Sequence, residues 1–197
     1  MFEVVYLTGA PAAGKSTTAK LLAQRVSPLE VFEFGERLAA YLTRKSSHTF
    51  VQEDLRQQSA ALVTPEDVRA VDRLLLDFVA EARTRTHVVI DSHPVTKESF
   101  GFRITPYTLD DFARLAPTQI WVLYADPEST TARIGQDAKG RPTVTAAEAA
   151  LHTQMQASVA ATYGMRVGTP VHLFDTSKLS PEDVASMLAQ RLGGPPA

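Results

Sequence analysis

The chain has 197 residues with a formal net charge of −2, and 44% of its residues are hydrophobic. Its 10 glycines and 12 prolines are too few for a disordered or collagen-like protein. It contains no cysteine, which excludes disulfides, iron–sulfur clusters and thiol nucleophiles. The balance of 20 Lys and Arg against 22 Asp and Glu is not that of a general nucleic-acid-binding surface, so any anion site must be local.

The N-terminal segment is apolar over residues 1–7 but carries Glu3 and leads directly into a glycine-rich turn. It lacks the basic start and the small-residue cleavage site of a signal peptide, and no apolar run approaches the ~20 residues that span a bilayer. We therefore expect a soluble cytoplasmic protein without membrane partners. A single domain over 1–192 is predicted, with a frayed tail at 193–197.

Short apolar runs alternate along the chain with longer helical patterns. The predicted elements are, in chain order, a strand over 4–7, a helix over 15–25, a strand over 31–34, two helical stretches of which the second begins at Pro65, a strand over 87–91, a helix over 107–115, a strand over 119–124, a helix over 127–134, a helix over 145–163, a strand over 170–174 and a helix from Pro181. This alternation is typical of a parallel sheet covered by helices on both faces. The sequence thus predicts a three-layer α/β fold with a five-stranded parallel sheet.

Capping residues and apolar spacing support the helices. Thr64, Thr108, Thr145 and Ser180 precede helical patterns in positions where a hydroxyl caps the first turn. Asp126 ends a predicted strand and is interpreted as a cap because Pro127 follows it. One apolar face of the helix after Pro65 is predicted from spacings of three and four, and it contains Val68, Val71, Leu74, Leu75, Phe78 and Val79.

The most specific signal is a glycine-rich segment over residues 9–17, between the first strand and the first helix. It matches G-x-x-x-x-G-K-[ST] in the structural context that this motif requires. Gly9 and Gly14 allow successive backbone N–H groups to turn inward around a phosphate, and the helix N-terminus adds a positive dipole end. Lys15 would supply a charge to the β- and γ-phosphates. The predicted ATP-binding residues are Gly9, Ala12, Ala13, Gly14, Lys15, Ser16 and Thr17.

The second signal is Asp91, at the carboxyl end of the predicted strand 87–91, where open α/β sheets place ligands. A carboxylate there holds Mg²⁺ through a water in the Walker B arrangement, and the Ser16 hydroxyl reaches the same ion. Ser16 and Asp91 are therefore the predicted magnesium ligands. We assign no role to the histidines that share no metal-ligand spacing, which are His48, His87, His152 and His172.

Together with a short basic segment, these motifs resemble those of the nucleoside monophosphate kinases among the P-loop NTPases. Within that family they are most similar to the archaeal-type adenylate kinases. The segments that carry the resemblance are Phe34-Gly35, Val89-Ile90-Asp91-Ser92-His93 with Lys97, the long helix from Pro65, the basic segment 133–141 and Tyr163-Gly164. The resemblance covers almost the whole chain. It implies a P-loop kinase fold with a short lid at about 135–143, hinged at Gly135 and Gly140.

The resemblance implies a reversible transfer of a phosphoryl group from ATP, with Mg²⁺, to AMP or a related monophosphate. It implies that the acceptor-phosphate ligands are Arg37, Arg56 and Lys97. Around the transferring group it implies Lys15 together with the lid residues Arg133, Lys139 and Arg141. The guanidinium fork matches phosphate geometry, which suits these roles. By analogy of fold, residues 175–178 would border the adenine. Archaeal members of the family often form trimers, so the resemblance is also compatible with a homo-oligomer.

One segment departs from the family pattern. The residues Asp91-Ser92-His93-Pro94-Val95 stand where the commoner adenylate kinases have Asp-Gly-Phe-Pro-Arg. The acceptor contact is left to Lys97 or Arg103, and two other hypotheses stay open. In one, the acceptor is a hydroxyl of a small metabolite, an antibiotic or a polynucleotide end, with Asp91 as the base that a neutral acceptor needs. In the other, the chain is a nucleotide-gated binding module, although no guanine-reading segment is recognisable.

Overall fold

The computed structural model describes residues 2–46, 48–51, 55, 62–136 and 143–193. The strands are β1 (Val4–Gly9), β2 (Leu29–Glu33), β3 (His87–Asp91), β4 (Val95–Glu98), β5 (Gly101–Ile104), β6 (Gln119–Tyr124) and β7 (Val171–Asp175). The helices of the described residues are α1 (Lys15–Arg25), α2 (Phe34–Lys45), α3 (Pro65–Ala82), α4 (Leu109–Leu115), α5 (Pro127–Gln136), α6 (Ala146–Val167) and α7 (Pro181–Arg191). No helix in these ranges is both long enough and apolar enough to cross a membrane.

Five of these strands form one parallel sheet in the order β2-β3-β1-β6-β7. Successive side chains of a strand point to opposite faces of a sheet, and β1 supplies both cores of the protein. Val4 and Tyr6 pack into a core with α2, α3, α4 and α6, whereas Val5 and Leu7 pack into a core with α1 and α7. The predicted three-layer α/β architecture with a five-stranded parallel sheet is confirmed.

The hydroxyl caps are present at the predicted starts of the helices. Thr64, Thr145 and Ser180 form capping boxes with the residue three positions later, and Thr108 accepts a hydrogen bond from the Asp111 N–H. Asp126 accepts a hydrogen bond of 2.7 Å from the Ser129 N–H, as its interpretation as a cap requires. Local polar signals therefore determine where these helices begin.

Several predicted boundaries shift by one to four residues, and one predicted face needs correction. Phe34 is the first residue of α2, not the last of β2, because the pairing of β2 with β3 ends at Glu33 opposite Asp91. Helix α4 begins at Leu109, since Thr108 is its cap. Leu74 is 47% exposed, so the buried face of α3 is narrower than predicted.

Helix α5 continues past its predicted end at residue 134. It ends at Gln136, so that Gly135 lies inside it. Residues 137–142, with Gly140, Lys139 and Arg141, lie outside the described residues. The lid itself therefore stays a prediction.

The sequence did not predict the antiparallel hairpin formed by β4 and β5, in which Val95 lies opposite Ile104. The hairpin is tied to α6 through the Val95 carbonyl oxygen. That oxygen lies 3.0 Å from Nε2 of His152 and accepts a hydrogen bond of 3.1 Å from Nε2 of Gln156. Because strands of four residues carry little periodicity, a hairpin that depends on such distant contacts has no strong local signal.

Gly164 provides a test of the packing between α6 and β7. A Cβ added at Gly164 would lie 2.4 Å from Cγ2 of Val171 and 2.9 Å from the Thr169 carbonyl oxygen. We expect Gly164→Ala to lower the free energy of unfolding by about 1–3 kcal/mol through overpacking. The control is Gly135→Ala, where a Cβ meets no described atom within 4 Å. In urea unfolding the control should match the wild type or gain up to ~1 kcal/mol, and equal stability of the two variants would contradict the prediction.

Candidate functional site

The glycine-rich segment connects β1 to α1 and packs closely against the neighbouring strand β6. Gly9 has φ of 145°, and a Cβ there would lie 2.0 Å from the Leu123 carbonyl oxygen. Gly14 caps α1 in the left-handed conformation, with φ of 88° and ψ of 9°. Gly9 is therefore required both by its positive φ and because a side chain would collide with β6. Gly14 is required by its positive φ. The strand, loop and helix that the phosphate-binding motif needs are all in place, with Ala12, Ala13 and Thr17 in the loop and at the start of the helix.

Two side chains of this segment form specific contacts at the end of the sheet. The Lys15 ammonium donates hydrogen bonds to the carbonyl oxygens of Gly9 at 2.7 Å and Ala10 at 3.0 Å. The Ser16 hydroxyl donates to Oδ2 of Asp91 at 2.8 Å. The Asp91 residue is only 7% exposed. The structure therefore brings together Ser16 and Asp91, the two predicted magnesium ligands.

The donor set of Ser16 and Asp91 fits Mg²⁺. A hydroxyl and a carboxylate are the hard oxygen ligands that this ion prefers, and Mg²⁺ commonly completes its shell with waters and substrate phosphates. Among the described residues, no group of three or more His, Asp or Glu side chains could hold a metal ion. Ser16 and Asp91 would therefore hold Mg²⁺ together with the phosphates of a nucleotide, and the ion would neutralise charge on those phosphates.

Arg133 connects α5 to the phosphate-binding segment and to the loop after β7. Its guanidinium donates to the Thr176 carbonyl oxygen at 2.8 Å, to the Thr176 hydroxyl at 3.3 Å and to the Ala12 carbonyl oxygen at 3.4 Å. These residues border a small cavity of about 160 Å³ beside Gly14 and Leu179. The predicted catalytic arginine thus lies beside the phosphate-binding segment, and the predicted adenine-bordering segment 175–178 reaches the same cavity.

A second and larger cavity, of about 190 Å³, lies on the other side of Lys15 and is called the large cavity below. Its walls come from the ends of β2 and β3, from α2 and α3, and from the β4–β5 hairpin. The apolar side chains in its lining include Phe34, Leu38, Leu55, Val63, Val68, Val95 and Ile134. Its polar lining includes Lys15, Ser16, Glu33, Asp72, Asp91, His93, Lys97, Arg103, Tyr107 and His152. This is the space in which a second substrate can reach a nucleotide held at Lys15.

Glu33 is a carboxylate of this cavity that the sequence analysis missed. It ends β2 directly opposite Asp91 in the β2–β3 register, and its side chain is 14% exposed. Burial raises the pKa of Glu33, and the carboxylates of Glu36 and Asp91 add to this effect, while Lys20 opposes it. Glu33 stands one residue before the predicted end of the strand over 31–34, so the strand-end signal that pointed to Asp91 identifies it only with the corrected end of β2.

The predicted acceptor ligands are distributed unevenly around the large cavity. Arg37 does not line it, but lies exposed on α2 with its guanidinium 5.4 Å from the centre of the Phe32 ring. Lys97 does line it, and its ammonium lies 2.9 Å from Oε1 of Glu148. Arg56 lies outside the described residues. Arg103, the other residue considered for this contact, lines the cavity with its Nε 3.4 Å from Oε1 of Glu98.

A buried polar network joins the phosphate-binding strand to the hairpin. The Thr8 hydroxyl donates to Oε1 of Gln156 at 3.3 Å, and Gln156 in turn donates to the Val95 carbonyl oxygen. His152 contacts the same oxygen, and burial lowers the pKa of His152 to about 4, which keeps the imidazole neutral. The sequence pattern assigns no role to His152, because its partner, Val95, lies 57 residues away in the chain. The network fixes the hairpin wall of the large cavity relative to β1.

Arg133 allows a test of the nucleotide side of the site. We expect Arg133→Ala to weaken MgATP binding about tenfold, because the loss of charge-assisted hydrogen bonds worth ~1.5 kcal/mol frees the phosphate-binding segment from the loop after β7. Isothermal titration with MgATP measures the change. The matched control is Arg114→Ala, since Arg114 is 68% exposed and pairs only within its own helix among the described contacts. Equal MgATP affinity of the two variants would contradict the prediction.

Comparisons with known proteins agree with this geometry. The model of the AAA_17 family, described as an AAA domain, matches residues 8–150. A search of curated protein sequences gives no significant match. Three solved structures with the same fold are a sugar kinase from Janibacter sp. HTCC2649 (16% identity, 98% of this chain and 95% of that chain, TM-score 0.58), a shikimate kinase from Bacteroides thetaiotaomicron (17%, 97% and 98%, 0.55) and a thymidylate kinase from Candida albicans (15%, 98% and 91%, 0.50). At such identities the likeness to these structures shows only the fold, which is that of the P-loop kinases. The match to the family model over most of the chain shows that the chain belongs to the AAA_17 family of AAA domains.

Proposed function

We propose that this protein is an ATP-dependent kinase that phosphorylates a hydroxyl group of a small molecule bound in the large cavity. The observation that carries the proposal is the pair of carboxylates, Glu33 and Asp91, side by side at the ends of β2 and β3 in the cavity that also contains Lys15. A neutral hydroxyl must lose its proton as it attacks, and a carboxylate beside the phosphate-binding segment can accept it.

The two carboxylates have different surroundings, which suggests different roles. Asp91 accepts the hydrogen bond of Ser16 and suits the magnesium side of the site. Glu33 has a raised pKa because of its burial, and a proton affinity nearer neutral pH suits a general base. We therefore assign proton acceptance to Glu33, where the sequence alone offered only Asp91.

The charges in the cavity also favour a hydroxyl acceptor over a phosphate acceptor. The described lining contains the carboxylates of Glu33, Asp72 and Asp91. Of its three described cations, Lys15 serves the nucleotide, while Lys97 and Arg103 lie beside Glu148 and Glu98. An anionic acceptor would have to compete with these carboxylates for both side chains.

The chemical step follows from these assignments. The acceptor oxygen attacks the γ-phosphorus of ATP as the bond from that phosphorus to the β,γ-bridging oxygen breaks. The hydroxyl proton passes to the Glu33 carboxylate, and the products are ADP and a phosphate monoester. Lys15 stabilises the charge that develops on the phosphoryl oxygens. Arg133 positions the phosphate-binding segment through its hydrogen bonds to the carbonyl oxygens of Ala12 and Thr176.

AMP, the acceptor implied by the family resemblance, is the second candidate. The presence of Lys97 and Arg103 in the cavity lining supports it, because both can reach a phosphate after a change of partner. This acceptor is already anionic and needs no base. The cations that would have to complete its site are Arg56, Lys139 and Arg141, which belong to segments outside the described residues.

A turnover panel separates the two candidates. Formation of ADP from MgATP is measured with AMP, CMP, UMP, GMP and dTMP, and separately with sugars, hydroxy acids, amino alcohols and hydroxylated antibiotics. We expect turnover with a hydroxylated compound, detected as its phosphate ester by mass spectrometry, and none with the five monophosphates. Lys15→Ala should lower kcat at least ~100-fold, since the loss of one cation at the transition state costs about 3 kcal/mol. Turnover with AMP alone would replace the proposal by the second candidate.

The role of Glu33 is tested through the pH profile. Because its raised pKa is that of a base, kcat/KM should fall as the pH decreases through that pKa. We expect Glu33→Gln to lower kcat by a factor of roughly 10² to 10⁴ and to abolish this acidic limb. The control is Glu81→Gln on α3, where the side chain is 79% exposed. An unchanged limb in Glu33→Gln would assign the proton transfer to another group.

A further inference from the structure

Asp72 is a carboxylate of the large cavity that the proposed chemistry does not use. It lies in the second turn of α3, between the buried residues Val71 and Leu75, and it lines the cavity with Val68 and Tyr107. Its Oδ1 is inaccessible to solvent and has no hydrogen-bond partner among the described residues. An acceptor atom in this situation is costly, since an unsatisfied buried polar group loses its hydration without replacement.

Asp67, on the same helix, is also a buried carboxylate, but its oxygens have hydrogen-bond and ion-pair partners. The Asp67 side chain is 2% exposed, lies 2.6 Å from the Lys45 ammonium and accepts hydrogen bonds from Thr64. These contacts hold the pKa of Asp67 below its ordinary value despite its burial. The carboxylate of Asp72 has no comparable contact within the described chain.

The charged groups around Asp72 do not replace a partner. Burial, together with the carboxylate of Asp111 on α4, raises the pKa of Asp72 to about 7. The guanidinium groups of Arg69 and Arg73, on α3 itself, act in the opposite direction without a hydrogen bond to it. The other titratable groups that the described residues place near Asp72 are the phenols of Tyr107 and Tyr163. No described residue donates a hydrogen bond to Oδ1, and a ligand can meet the carboxylate where it lines the cavity.

We propose that Asp72 determines the class of the acceptor, which is an amino alcohol whose hydroxyl faces the phosphate-binding segment and whose protonated amine binds the Asp72 carboxylate. This inference rests on the proposed function, because it describes the other end of the same substrate. Asp72 would act as a specificity residue and take no part in proton or phosphoryl transfer.

An ammonium group fits better than other donors for two reasons. It supplies a positive charge to a cavity whose described lining contains the carboxylates of Glu33, Asp72 and Asp91, while Lys97 and Arg103 each lie beside another carboxylate. An ion pair also gains strength where apolar residues exclude water. The ammonium group also carries three hydrogen-bond donors, so one can bind the Asp72 carboxylate on the side that lines the cavity while others remain for water or Tyr107. A phosphate or carboxylate at this end of the ligand would meet only repulsion from Asp72.

Binding of paired probes tests the inference. The probes are a homologous series of linear amino alcohols, each paired with the alcohol in which a methyl group replaces the ammonium, and their dissociation constants are measured by NMR titration of the full chain at pH 8 without ATP. We expect the best amino alcohol to bind at least about tenfold more tightly than its partner, which is ~1.4 kcal/mol. Asp72→Asn should remove this preference, whereas Asp77→Asn, an exposed position on the same helix, should keep it.

A stability measurement separates recognition from folding. Asp72→Asn removes a buried charge and should be at least as stable as the wild type at pH 8 in thermal unfolding. Asp72→Ser serves as a second variant if the amide is not tolerated. Equal affinity of the paired probes, absence of binding by every amino alcohol, or a preference retained in both variants would overturn the inference. Since binding is measured without ATP, an amino alcohol that binds through Asp72 but is never phosphorylated would refute the proposed function alone.

Discussion

The hydrogen bond between Ser16 and Asp91 is the contact on which the candidate site depends. It joins the start of α1 to the end of β3 at 2.8 Å, and so connects the phosphate-binding segment to the strand that carries the second candidate magnesium ligand. The position of the segment is fixed from the other side by Gly9, whose backbone lies against the Leu123 carbonyl with no space for a Cβ. Because both contacts involve neighbours of β1 in the sheet, the order of the strands itself builds the nucleotide side of the site.

The features that the sequence predicted correctly are those encoded by adjacent residues. The bounds predicted for β3 and β6 match the structure, as does the helix over Lys15–Arg25, because an apolar run or a capped amphipathic pattern is read within one element. The motif over residues 9–17 is likewise formed by adjacent residues. A strand-end carboxylate such as Asp91 can be identified because parallel strands place their carboxyl ends at one edge of the sheet.

The features that the sequence did not predict acquire their meaning from distant residues. His152 and Gln156 matter because they meet the Val95 carbonyl oxygen, and the hairpin that contains Val95 depends on them. Asp72 follows the helical pattern of α3 as an ordinary polar residue, and only the tertiary structure shows that its Oδ1 is buried at the wall of a cavity. Glu33 differs from these, since the rule that identified Asp91 applies to the preceding strand with the corrected end of β2.

The same distinction separates the two halves of the proposed reaction. Most of the donor half lies in one contiguous segment, residues 9–17, so a family resemblance can identify it from the sequence. The acceptor half is assembled from β2, α2, α3 and the hairpin, and there a few pairings decide the chemistry. Glu148 and Glu98 lie beside the two cations that would otherwise attract a phosphate, while Glu33 and Asp72 stay in the lining as carboxylates. Within the described lining, this distribution of charge favours the proposed hydroxyl and amine groups, because a second phosphate would have to compete with Glu148 and Glu98 for Lys97 and Arg103.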